Sequence, residues 1–135
     1  FEKIVEKKGS VPTLIHPSAN VSKYAQLGRG VVVHMNTVVH PDVTVGDNTV
    51  LSYNVSVTHS THIGKNCYLA FGVMLGAYTI VEDFVFIGIG AIVISGKVDS
   101  IGTFASIGAG AVVTKSVASY ECVAGNPAKF IKTLK

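Results

Sequence analysis

Charged residues are scarce in this chain of 135: 14% are Asp, Glu, Lys or Arg, against 48% apolar. No apolar run approaches the ~20 residues that span a bilayer, so membrane insertion is not expected and the apolar residues must be buried in some regular way. The net charge of +3 is small, the lysines are scattered, and no basic cluster alternates with aromatics. That excludes a nucleic-acid surface and leaves room for an anionic small molecule. Cysteine is nearly lacking too: Cys67 and Cys122 stand far apart without ligand spacing. Neither a disulfide framework nor a zinc site is read from them, which points to a reducing, cytoplasmic setting. No signal-peptide pattern precedes the repeats and the chain opens on Phe1, as expected of a piece or processed product of something longer. The length suits one domain with a continuous core.

What the chain has is period. From Ile15, every sixth residue is aliphatic: Ile15, Val21, Leu27, Val33, Val39, Val45, Leu51, Val57, Ile63, Leu69, Leu75, Val81, Ile87 and Val93. Two residues before each comes a small or β-branched one, from Thr13, Ala19 and Ala25 through Thr61 and Cys67 to Ala91. Positions two apart share a side of a strand, so each hexad reads as a short strand with both residues facing inward. Three residues after the aliphatic stand Gly30, Asn36, Asp42, Asn48, Asn54, Asn66, Gly72, Gly90 and Gly96, types that tolerate positive φ and turn the chain. Three strands and three corners make an 18-residue triangular coil, and about five to six stacked coils make an all-β parallel β-helix.

The register slips by two between Val93 and Ile101, so Ser95 to Ser100 is expected to bulge as a loop. Residues 1–12 read as a lead-in helix or linker, with Phe1, Ile4 and Val5 on one face and Gly9-Ser10 ending it; 13–118 form the β-helix and 119–135 a C-terminal extension. Stacking at 18-residue intervals sorts the outside into columns. Arg29, Asp47, Lys65 and Asp83 form a solvated corner. Met35, Tyr53, Phe71 and Ile89 form an apolar one, flanked by outward Leu14, Val32, Val50, Tyr68 and Phe86, which suits a subunit interface with three-fold packing. The third corner carries Pro41, His59, Ala77 and Ser95.

The hexads, with Ile15-His16-Pro17-Ser18-Ala19, Ile107-Gly108-Ala109-Gly110-Ala111-Val112-Val113-Thr114-Lys115 and Val123-Ala124-Gly125-Asn126-Pro127-Ala128-Lys129, resemble the bacterial hexapeptide acyltransferases. The resemblance is strongest to the branch of sialic acid O-acetyltransferases and sugar-nucleotide N-acetyltransferases, over roughly residues 10–130. It implies a left-handed β-helix, against the usual crossover rule, a homotrimer, acetyl-coenzyme A as donor and a sugar or nucleotide-sugar acceptor. Many members carry an N-terminal nucleotide-sugar-binding domain with a Gly-rich loop, and no such loop occurs here.

The position of the family's general base matches His59. Imidazole titrates near neutral pH and suits an acceptor amine or hydroxyl that must lose a proton as it attacks a thioester. The family's acyl-holding amide one coil on matches Ala77, beside Gly76; a backbone N–H survives the change from glycine. Ser60 stands where the acidic partner is usual, and Tyr68 where close relatives carry a second histidine near the cofactor. A serine orients an imidazole without balancing its charge, so Asp42, one coil from Ser60 at a strand spacing of about 4.8 Å, is the candidate replacement carboxylate. The resemblance sets pantetheine against the backbone at Ile89 and Ala109 and a phosphate near Lys129, with no metal.

Blander readings stand beside these. Ser60 also reads as a plain turn residue, His62 as an ordinary exposed histidine, Cys67 as core filler and Lys129 as a solvated lysine. His16 and His34 share a column that continues as Ser52, Ala70 and Gly88, which argues against a metal pair. Two other functions remain: a hexapeptide scaffold or assembly domain with impaired catalysis, motivated by Ser60 and Tyr68, and a γ-type carbonic anhydrase, whose three-histidine spacing finds no match.

Overall fold

In the computed structural model, which describes all 135 residues, each hexad becomes a two-residue strand, the aliphatic and the residue before it, followed by a turn. Every hexad strand pairs in parallel with the strand one coil away, as Val32↔Val50, Val38↔Ser56 and Thr44↔His62 do. Three flat sheets result, of eight, six and five strands, wound as a parallel β-solenoid. The first face starts at Leu14–Ile15, the second at Asn20–Val21 and the third at Gln26–Leu27.

The inward pair of each hexad supplies the core. Val31 and Val33, Val55 and Val57, and Val85 and Ile87 are all buried, in one continuous cluster along the axis. Each such side chain is worth ~1.5–3 kcal/mol in removed apolar surface, more than the ~1–2 kcal/mol that a left-handed corner costs a residue with a Cβ. The predicted glycine, asparagine and aspartate corners all have positive φ, between 56° and 71°. So do Ser60, Tyr78, Phe84, Phe104 and Tyr120, which the residue types did not announce. Inward threonines stitch coil to coil: Thr49 Oγ1 donates to Gly64 O at 2.8 Å and accepts from Cys67 N at 3.0 Å. No buried side-chain polar atom lacks a partner.

The two-residue slip makes a smaller loop than the expected Ser95–Ser100 bulge. The chain turns at 95–97, Val98 returns to the core at 2% exposure, and Ser100 opens the strand Ser100–Ile101. Hydrophobic burial of Val98 outweighs the freedom of a longer loop. At the solvated corner, the Arg29 amide and guanidinium hold the Asp47 carboxyl below the usual carboxylate range, with the ion pair at 2.9 Å.

The two ends differ. The first coil lies open, with Ile15 48% exposed and Val21 and Leu27 half-buried. A helix α1 (Glu2–Glu6) lies beside it, with the Arg29 guanidinium 5.9 Å from the Phe1 ring. At the other end the strand Glu121–Ala124 continues the first face and Lys129–Thr133 folds back on it antiparallel. Residues 125–128 cover the second face there: Val112 N donates to Gly125 O and Ala128 N to Val112 O. No helix is long and apolar enough to cross a membrane.

Candidate active site

His59 sits at the apex of the corner joining the strand Ser56–Val57 on the second face to His62–Ile63 on the third. Val57 and Thr61 point inward and anchor the corner, and Ser60 takes the left-handed conformation that closes it, φ 56°. Thr61 Oγ1 reaches both His59 O at 3.4 Å and Gly76 O at 3.1 Å, tying this corner to the next coil. The histidine is thereby thrown into solvent. Its Nδ1 faces Ser60 Oγ at 3.3 Å, a long hydrogen bond, and its ring meets Tyr78 edge to face at 5.3 Å between centroids. With Nδ1 turned toward Ser60, Nε2 is the nitrogen left for a substrate proton.

Side chains from an adjacent coil capture some of the outward corner amides. Asp47 takes the amide of Arg29, Asp83 that of Lys65, and Glu82 that of Thr103. At the His59 corner, Ser95 Oγ takes the amide of Ala77 at 2.9 Å. The N–H expected to hold an acyl oxygen is therefore occupied by the Ser95 hydroxyl. Gly76 offers neither a free donor nor room for a side chain: its N–H bonds Val93 O, and a Cβ there would lie 2.6 Å from that oxygen.

The remaining predicted residues lie elsewhere. Asp42 occupies the same corner column as Ser60, exposed, with φ 58°, but its carboxylate makes no ion pair with His59; Arg29–Asp47 is the one pair in the molecule. Ile89 and Ala109 share the corner between the first and second faces, and their amides have no hydrogen-bond partner. They are two free N–H groups one coil apart on an apolar corner. Tyr68 lies outward on the first face, stacked on Phe86 at 5.9 Å, whereas the His59 corner joins the second and third faces. Lys129 and Lys115 line a depression of about 350 Å³ at the closed end.

The structure adds Tyr78, Thr61 and Ser95 to the His59 corner. Ser95 was visible from its 18-residue column, whereas Tyr78 had only the signal of an aromatic where the hexad asks for glycine or asparagine. His62 is held by Thr44 Oγ1 through Nδ1 and lines a shallow depression with Ile80, Glu82 and Thr103. His16 bonds Ser18 and His34 packs on Tyr53 at 4.5 Å, and no three His, Cys, Asp or Glu side chains converge as metal ligands.

A family model described as bacterial transferase hexapeptide (six repeats) matches residues 24–59. Among solved structures, the acetyltransferase domain of PglB from Neisseria gonorrhoeae FA1090, in complex with acetyl coenzyme A, is 30% identical with a TM-score of 0.93, covering 96% of this chain and 62% of its own. WeeI from Acinetobacter baumannii AYE is 26% identical, TM-score 0.91, with 96% and 63% covered. A histidine-to-asparagine mutant of perosamine N-acetyltransferase from Caulobacter crescentus, in complex with CoA and GDP-perosamine, is 29% identical, TM-score 0.69, with 97% and 61% covered. The chain thus spans less than two thirds of the length of these relatives. No curated protein sequence matches significantly.

Proposed function

We propose that this hexapeptide-repeat chain is the acetyltransferase part of a sugar-modifying enzyme, moving an acetyl group from acetyl-coenzyme A to an amino or hydroxyl group of a sugar or nucleotide sugar. What supports this most is an exposed His59, Nε2 free, one coil from the Ala77 amide, on a fold that matches an acetyl coenzyme A complex along 96% of its length. His59 takes the proton of the acceptor as it attacks the thioester carbonyl. The carbonyl oxygen, now an oxyanion, is held by the Ala77 N–H once Ser95 yields it. The C–S bond breaks and the proton passes from His59 to the departing thiolate. Ile89 and Ala109 would receive pantetheine, and Lys129 with Lys115 the phosphates of coenzyme A. His59 and the free amides occupy different corners of one protomer, and the first face is apolar outside. Both observations favour a homotrimer whose sites are completed between neighbours. Free Cys67 and Cys122 suit a cytoplasmic setting.

The test is thiol release from acetyl-coenzyme A against a panel of amino sugars, neutral sugars and sugar nucleotides including GDP-perosamine, run beside His59→Ala. The variant should lose roughly 10²-fold or more in kcat. Equal turnover removes His59 from the mechanism. Asp42→Asn tests the replacement carboxylate: with no ion pair to His59 in this structure, a fall in turnover with altered pH dependence would mean that Asp42 acts only once substrate is bound, and no change would leave it a corner residue. The captured amide of Ala77 favours a second reading, a catalytically impaired scaffold. Calorimetry without detectable acetyl-coenzyme A binding selects that reading.

A further inference from the structure

Tyr78 is the least economical residue at the His59 corner. It holds φ 61°, a conformation that bulky side chains rarely adopt; the other left-handed positions of its column are Asp42, Ser60 and Gly96, while Tyr24, which opens the column, stays outside that conformation. Burial does not account for it, since the residue is 69% exposed. The other aromatics forced into left-handed corners stack on one another: Phe84 on Phe104 at 4.7 Å and Phe104 on Tyr120 at 5.1 Å. Tyr78 has a single aromatic partner, the imidazole of His59, at 5.3 Å and 89° between planes.

Strained backbone at a functional site calls for a compensating role. Here the imidazole has a weak hold on its own orientation: Nδ1 has one long hydrogen bond to Ser60, and no carboxylate reaches it. Edge-to-face packing restrains a ring in two directions through the quadrupole of the aromatic face. We infer that Tyr78 is a positioning residue, whose ring fixes the imidazole of His59 in the rotamer that presents Nε2 to the acceptor. The inference rests on the acetyltransferase reading. It assigns to a tyrosine the orienting half of what an acidic partner does, without the charge.

Three variants and one resonance test it, in the 135-residue chain with acetyl-coenzyme A and the best acceptor of the panel. Tyr78→Phe keeps the ring and should retain kcat within about twofold. Tyr78→Gly removes the ring and relieves the corner, so kcat should fall about tenfold. The KM for acetyl-coenzyme A should stay within about twofold and the melting midpoint should hold or rise. A lower midpoint with the lost activity would mark Tyr78 as structural only. Equal losses in Tyr78→Phe and Tyr78→Gly, or none in Tyr78→Gly, overturn the proposal. His59→Ala identifies the His59 ring C–H signals, among them the one that the Tyr78 ring current displaces most. That signal should move toward the free-imidazole position in Tyr78→Gly and stay in Tyr78→Phe. An unmoved signal also overturns the proposal, and this readout holds even if the wild-type chain releases no thiol, the outcome that would instead sink the acetyltransferase reading.

Discussion

Ser95→Ala isolates the amide that the chemistry needs. The Ala77 N–H is 6% exposed as part of its residue and donates to Ser95 Oγ at 2.9 Å. Without the hydroxyl, a nearly buried donor is left unpaired, a cost of ~1–3 kcal/mol. Taking about 1.4 kcal/mol, the lower part of that range because water reaches the corner, the melting midpoint should fall by roughly 5 °C for a chain of this size. In the wild-type chain a thioester carbonyl must displace Ser95 before it gains the same N–H. In the variant nothing stands in its way, so the same free energy reappears as tighter binding, about tenfold in the Kd for acetyl-coenzyme A. Thermal melts with and without acetyl-coenzyme A read both halves: the deficit appears in the free chain and closes in the complex. Calorimetry gives the Kd directly. An unchanged or weaker Kd together with a lowered midpoint would refute the reasoning, because the amide would then have lost a partner that the thioester does not replace.

Three further outcomes test the frame around the site. Thr49→Val keeps shape but strands the Cys67 N–H and the Gly64 carbonyl, so it should lower unfolding free energy by ~1–3 kcal/mol in urea titration. Burial pushes the Cys67 thiol up to about 11, from an ordinary 9.0. Iodoacetamide at pH 8 should therefore label Cys122 in the folded chain and both cysteines in urea, read by mass spectrometry. Because the folded value is the higher one, the neutral thiol's contribution to stability is complete below about pH 9 and is lost as pH rises through about 11. Denaturant midpoints should drop over that alkaline window and be flat across it in Cys67→Ala.

The solenoid was legible because the hexad repeats one physical decision, an inward pair and a turn, from Ile15 to Val93. Glycine, asparagine and aspartate announce left-handed corners through their own conformational freedom, and all nine so marked turn that way. Tyr78, Phe84, Phe104 and Tyr120 turn the same way with no such freedom, since stacking and coil geometry override local preference, and neither is written in a single residue. The column of His59, Ala77 and Ser95 followed from counting in eighteens. That the Ser95 hydroxyl would engage the Ala77 amide did not, because a rotamer decides it. The extra pair of residues after Val93 gave away the slip in register, but only the packing of Val98 shows how little of the chain leaves the wall.

The open first coil gives the molecule a direction in which it comes apart. Each coil bonds only to the coils above and below it, so order is lost from an end inward. The far end is held by the fold-back of Lys129–Thr133 on Glu121–Ala124, while Ile15 has nothing stacked beneath it. Deuterium should enter the amides near Gln26 and Gly28 first, then those near Thr44 and Gly46. His59 stands on the third coil from that end, so the first coil can fray and reseal many times while the corner that carries the chemistry keeps its shape.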